Sequence, residues 1–188
     1  MKQVIANFLN KYVALSEKEI NEITIGFKQK SLKKNDYLLR QGETCKDIVI
    51  VENGCLRMYY LKDDVEVSVW FAFKESSAIE MYSFISGNPS EYFIQAIEDS
   101  EIIYLPKSEL TKLYQTIPKT QELMKHFWED VILNLISRFT SLQKDTAEER
   151  YLALLKNPVY MASIPQKYLA SFIGITPTSL SRIRRNIK

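Results

Sequence analysis

The chain has 188 residues, 46% of them hydrophobic, and a formal net charge of +2. That length allows one large domain or two small ones with a sizeable core, and no run of about 18 apolar residues exists to span a membrane. The charge is unevenly spread: residues 164–188 carry Lys167, Arg182, Arg184, Arg185 and Lys188 with no carboxylate, and the rest of the chain is net negative. A basic end on an acidic body suits a polyanionic partner as well as it suits a solvated tail.

The start, Met1-Lys2-Gln3-Val4, has no apolar signal core, so the expected location is the cytoplasm. Cys45 and Cys55 are then expected as free, buried thiols. Residues 2–13 place Ile5, Phe8, Leu9 and Tyr12 at helical spacing. A second helix is expected from Ser16, which has the capping-box distance to Glu19. Between Phe27 and Leu105 the period shortens, and six runs (DYLLR, DIVIVENG, CLRMYYL, VEVSVWFAF, EYFIQAI, EIIYL) predict strands. Turn signals separate them at Asn35, Gly42, Asn53-Gly54, Asp63-Asp64 and Gly87-Asn88-Pro89, a pattern of sandwich or barrel type.

After Pro118 the period is helical again. Residues 119–146 lack Gly and Pro and hold eleven apolar positions, too many for one amphipathic stripe. Met124, Trp128, Val131, Leu135 and Leu142 fall on one seam at a/d spacing, with Arg138 interrupting it in the manner of a register-setting polar residue. Leu123, Phe127, Ile132, Ile136 and Phe139 lie beside that seam. Two apolar faces need two partners, so the seam is expected to form a homodimer interface; a helix buried inside a monomer is the alternative. A shorter helix is expected over 146–156, ended by Asn157-Pro158, and then a loop.

In the last segment, QKYLASFIGITPTSLSRIRR, Leu169, Ala170 and Ile173 are packing positions of one helix. Gly174 supplies a turn, Thr176 an N-cap and Pro177 a first helical position. Leu180 and Ile183 face inward on the next helix. This is helix-turn-helix spacing. Its second helix offers Thr178, Ser179 and Arg182 towards base edges and Arg184, Arg185 and Lys188 towards the phosphate backbone.

With these motifs the chain resembles the Crp–Fnr family of bacterial transcription regulators. The resemblance rests on NDYLLRQGE (35–43), ENGCLRMYY (52–60), the strands up to EIIYLP (101–106) and QKYLASFIGITPTSLSRIRR (166–185). It implies an α+β fold with three parts. These are an N-terminal double-stranded β-helix, a jelly roll like the cyclic-nucleotide-binding domain, over 1–118; a long dimerisation helix over 119–146; and a helix-turn-helix DNA-binding domain over 147–188. The sequence stops at the recognition helix, so the winged helix-turn-helix of the family is expected to lack a full wing. Pro177 stands where relatives often place a polar reader.

The resemblance also implies partners: double-stranded DNA, as a palindromic operator met by a homodimer, RNA polymerase, and a small-molecule effector in the roll. Relatives that bind a cyclic nucleotide carry a Glu and, ten residues later, Arg-Ser. Here Glu80 matches, but Ser90-Glu91 stand in the second place, and residues 75–105 hold no Lys or Arg. A buried phosphate would lack its cation, so cyclic AMP is not expected, and Trp70, Glu80, Tyr82, Ser90 and Tyr92 are expected to line a pocket for a less acidic ligand or none. Two cysteines are too few for an iron–sulfur cluster. His126, the lone histidine, lies outside the β region, which disfavours haem and a metal-dependent barrel enzyme alike. No nucleophile–base pair is evident. The rival reading is a ligand-binding or protein-interaction module whose last helices only pack.

Overall fold

The computed structural model describes residues 1–187; Lys188, one of the expected backbone cations, lies outside them. Helix α1 (Lys2–Leu9) buries Val4, Ile5, Phe8 and Leu9, and ends before the expected Val13. Helix α2 (Glu17–Ile25) starts with the expected capping box: Ser16 Oγ accepts from Glu19 N at 3.3 Å, and Glu19 Oε2 accepts from Ser16 N at 2.7 Å.

Eight strands follow: β1 (Lys28–Leu32), β2 (Tyr37–Leu39), β3 (Asp47–Asn53), β4 (Leu56–Lys62), β5 (Val65–Ala72), β6 (Ser77–Ala78), β7 (Phe93–Ala96) and β8 (Ser100–Pro106). They pair antiparallel in two four-stranded sheets, β1-β8-β3-β6 and β2-β7-β4-β5, whose facing sides make a jelly-roll core. All six expected strand runs are present. β1 and β6 were not expected, because KQKSL buries only Leu32 and β6 has two residues.

The corners have local causes. Gly54 has φ +89, and a Cβ there would stand 2.3 Å from Ser100 Oγ and 2.7 Å from the Asp99 carbonyl, so the β3–β4 turn excludes every other residue. Asp63 and Asp64 both take positive φ, closing the β4–β5 hairpin in the sense that matches strand twist. Between β6 and β7, ahead of the expected Gly87-Asn88-Pro89 turn, helix α3 (Met81–Ser86) begins at Glu80, which serves as its N-cap.

Helices α4 (Lys107–Thr116) and α5 (Lys119–Lys144) meet at Ile117-Pro118. The start of α5 closes the roll, and this corrects the expected seam. Met124, with Leu123 and Phe127, is buried in the chain's own core, and Trp128 and Val131 are half-buried against it. Phe8, Tyr12, Phe127 and Trp128 form a chain of ring contacts with centroids 4.8–5.8 Å apart. Beyond this point the open apolar stripe is Ile132, Leu135, Ile136, Phe139 and Leu142, with Phe139 62% exposed. Periodicity revealed two apolar faces but not which one its own domain would cover. Arg138 is not in the open stripe; it turns towards the last helices.

Those are α6 (Ala147–Leu155), α7 (Pro158–Ser163), α8 (Gln166–Phe172) and α9 (Pro177–Asn186). Thr146 and Glu149 form a second capping box at α6. The expected loop after Asn157 is instead α7, capped by the Asn157 side chain with Pro158 in the first turn. A second core joins the outer side of the β2-β7-β4-β5 sheet, through Cys55, Phe71 and Ile97, to Tyr151, Ile164, Leu169, Ala170, Phe172, Ile173 and Leu180. Both cysteines are free and buried, and burial pushes the Cys55 thiol up to about 12. Among the described residues, no helix is long and apolar enough to cross a membrane.

Candidate nucleic-acid interface and internal cavity

Helices α8 and α9 pack through Leu169, Ala170, Ile173 and Leu180, with Ala170 and Leu180 fully buried. Gly174 turns the chain at φ +75, and Leu142 of α5 fills the space beside it, 3.5 Å from the position of a Cβ. Thr176 Oγ1 accepts from Ser179 N at 3.2 Å and so caps α9. Arg184 and Arg185 in the last turn complement the helix dipole. Thr178, Arg182 and Arg185, spaced by four and three residues, form one exposed stripe along α9. Ser179 is half-buried, and its hydroxyl is 3.0 Å from that of Thr176, so it belongs partly to the cap. Sequence reasoning missed two polar residues here: Gln166, at the start of α8, donates to Ser181 Oγ at 2.8 Å and accepts from Arg184 Nη1 at 3.3 Å. These ties align the two helices and hold one cation in place.

The opposite side of α8 docks on β4 and β5. Arg57, completely buried, donates through Nε to Ser68 Oγ (2.8 Å) and through Nη1 to Glu66 (2.8 Å). Its guanidinium lies 3.6 Å from the Tyr168 ring of α8 and 4.3 Å from Tyr59. Nη2 is buried without a partner among the described residues. Ser171 Oγ bonds Ser68 Oγ at 2.8 Å. Arg138 of α5 and Arg150 of α6 cap the far end of α8: Arg138 Nη2 donates to the Phe172 carbonyl at 2.7 Å, and Arg150 Nε to the Ile173 carbonyl at 2.9 Å. Arg138 stood out in the sequence as an interruption of the apolar seam, but nothing in the pattern distinguished Arg57 or Arg150 from surface cations.

Between the roll, α3 and α5 is a cavity of about 370 Å³. Trp70, Glu80, Tyr82 and Tyr92 all line it, together with the unforeseen Met58, Val69, Val131 and Arg138. A bulge at Val69, where Tyr59 pairs with Ser68 and Met58 with Trp70, turns two consecutive β5 residues towards the cavity. Ser90 does not line it. That side chain is buried and bonds back to Tyr92, whose N–H it accepts at 3.0 Å.

At the α3 end of this lining the phosphate of a cyclic nucleotide would find its backbone donors already taken. The first amides of α3, a position suited to a phosphate, already donate to Glu80: Tyr82 N to Oε1 at 3.0 Å and Ser83 N to Oε2 at 2.9 Å. Glu91, exposed, stands next to Ser90, and among the described residues the one cation on the cavity wall is Arg138 of α5. His126 is on the outer surface of α5, bonded to Glu129 at 2.9 Å.

Comparison with known proteins agrees with this geometry. Residues 29–117 match the family model of the cyclic nucleotide-binding domain. The Electron transport regulator A of Shewanella oneidensis is 19% identical, over 83% of this chain and 67% of its own length. The Fumarate and nitrate reduction regulatory protein of Vibrio cholerae is 21% identical, over 90% and 72%. The solved structure of FixK2 from Bradyrhizobium japonicum superposes with a TM-score of 0.72 at 18% identity, covering 86% of this chain and 84% of its own. The Shewanella oneidensis and Vibrio cholerae relatives bear the names of regulators.

Proposed function

Because the chain belongs to the Crp–Fnr family of transcription regulators, we propose that it reads duplex DNA with α9, as a symmetric pair of subunits controlled by a molecule in the sensor cavity. Residues 1–118 are the sensor, 119–146 the dimerisation helix and 147–188 the DNA reader. The observation that carries this reading is the exposed Thr178-Arg182-Arg185 stripe on a helix whose other face is locked by Leu180. Arg182 makes the base contact, bidentate to a guanine, and Thr178 a second. Arg184 and Arg185 hold phosphates. The open stripe of α5, from Ile132 to Leu142, pairs with its copy and sets two recognition helices about 34 Å apart, one turn of the duplex.

The effector is not cyclic AMP, for the reasons of lining given above. Occupancy shifts the population between two placements of α8–α9 on the sensor. RNA polymerase is the further partner of such a regulator at a promoter, and the cytoplasm is where it meets DNA. Selection of bound sequences from random duplexes tests the whole reading. The wild type should enrich a palindrome, and Arg182→Ala should lose the sequence preference while keeping the dimer mass. An unchanged preference in that variant removes the assignment. If α8–α9 only pack, no duplex is retained even at low salt.

A further inference from the structure

Arg138 lies between two spaces. It lines the sensor cavity, and it also lines the cleft between α5, α6 and α8. Among the described residues its one hydrogen-bond acceptor is the Phe172 carbonyl, and its guanidinium stacks 3.6 Å from the Phe172 ring. No ion pair among the described residues reaches it: their charged contacts lie elsewhere. Burial lowers its pKa to about 10; the Tyr160 hydroxyl works against this, and the neighbouring Arg150 adds to it. A half-buried cation without a counter-ion carries part of the desolvation cost of a charge. It is also a ready partner for an anion, because most of its fixed fork of donors is unspent.

The rest of the wall limits what the anion can be attached to. Met58, Val69, Trp70 and Val131 are apolar or nearly so. Glu80, the one carboxylate among the described residues of the wall, has both oxygens committed to the amides of α3, and its charge repels an anion from that end. A ligand is therefore oriented, with its negative group away from α3 and towards α5.

We propose that the cavity takes a molecule with an apolar body and a single anionic group, a carboxylate being the simplest, held by Arg138. The inference rests on the reading of this cavity as the effector site. It carries a consequence for control. The ligand's anion and the Phe172 carbonyl share one guanidinium, so binding couples the cavity to the cap on α8 and, through it, to the DNA-reading pair.

The test uses the full chain in a Trp128→Phe background, where fluorescence comes from Trp70 on the cavity wall. The probes are octanoate and phenylacetate, their uncharged amides, and cyclic AMP. Each carboxylate should bind about tenfold or more tighter than its amide. Arg138→Met should abolish that difference, and Arg138→Lys, which keeps the charge, should retain it. Equal binding of acid and amide by the wild type overturns the anion assignment and leaves the cavity reading standing. So does a preference that survives Arg138→Met. Tighter binding of cyclic AMP than of either acid overturns the apolar body. If no probe binds, the reading of the cavity falls together with the inference. The wild-type comparison of acid with amide needs no variant, so it stands even if Arg138→Met unfolds.

Discussion

Arg57 offers a quantitative test of how the two halves are held together. Truncation to alanine empties a fully buried site, at a cost of about 2–5 kcal/mol by analogy with large-to-small core changes. It also removes desolvated stacking on Tyr168 and Tyr59, about 2 kcal/mol. Against this, it relieves the buried, unpaired Nη2 donor, which returns about 1–3 kcal/mol. The loss of Glu66 as partner counts for little, because that side chain is 40% exposed and hydrates readily. The net is a destabilisation of about 3 kcal/mol, or a fall in Tm of about 6–12 °C for a chain of this size. Arg57→Met keeps most of the volume and removes the desolvated charge. Buried ionic groups replaced by apolar ones of like size are often neutral or stabilising, so this variant should melt within a few degrees of the wild type, or above it. Thermal unfolding followed by circular dichroism distinguishes them. If Arg57→Met is as damaging as Arg57→Ala, the charge itself stabilises the interface and the accounting is wrong.

Arg184→Ala and Arg185→Ala, combined, should flatten the dependence of log affinity on log salt by roughly 0.9 for each phosphate that is no longer neutralised; an unchanged slope in filter binding removes both from the backbone interface. Phe139→Asp places a charge on the open stripe of α5, so light scattering should give the mass of one chain, with the circular dichroism of the folded chain retained because that side chain is 62% exposed in the single chain; a persistent dimer would place the interface elsewhere. Bonds from the Ser16 hydroxyl and amide, and then from Lys119, lower the Glu19 carboxyl from 4.5 to about 2. A depressed folded-state pKa gives stabilisation that is complete above the ordinary value and lost as pH falls through about 2. Glu19→Gln should therefore remove part of the acid sensitivity in that window, and identical acid titrations for the two proteins would discount the capping box.

Local chemistry was legible along the chain because it acts over a few residues. Both ends of the helix-turn-helix could be read from Ala170, Gly174, Thr176 and Pro177, and the structure has each in the expected conformation. The capping box at Ser16 and the left-handed Gly54 were equally evident. Strand runs with both-sided or alternating burial were found, whereas β1, β6, α3, α4 and α7 were missed, being short or largely exposed with weak period.

Sequence by itself determined the succession from helices to strands and back to helices, the two apolar faces of α5 and the cationic stripe of α9, since each is set by residue type at fixed spacing. Tertiary structure alone decided which face of α5 its own roll covers, that Ser90 leaves the cavity, that Arg57 is fully buried and that Arg138 is half-buried against α8. The physical reason is range. Periodicity states that a side chain is apolar or charged on a given side of its element, but burial and pairing depend on partners tens of residues away, such as Tyr168 for Arg57 and Phe172 for Arg138.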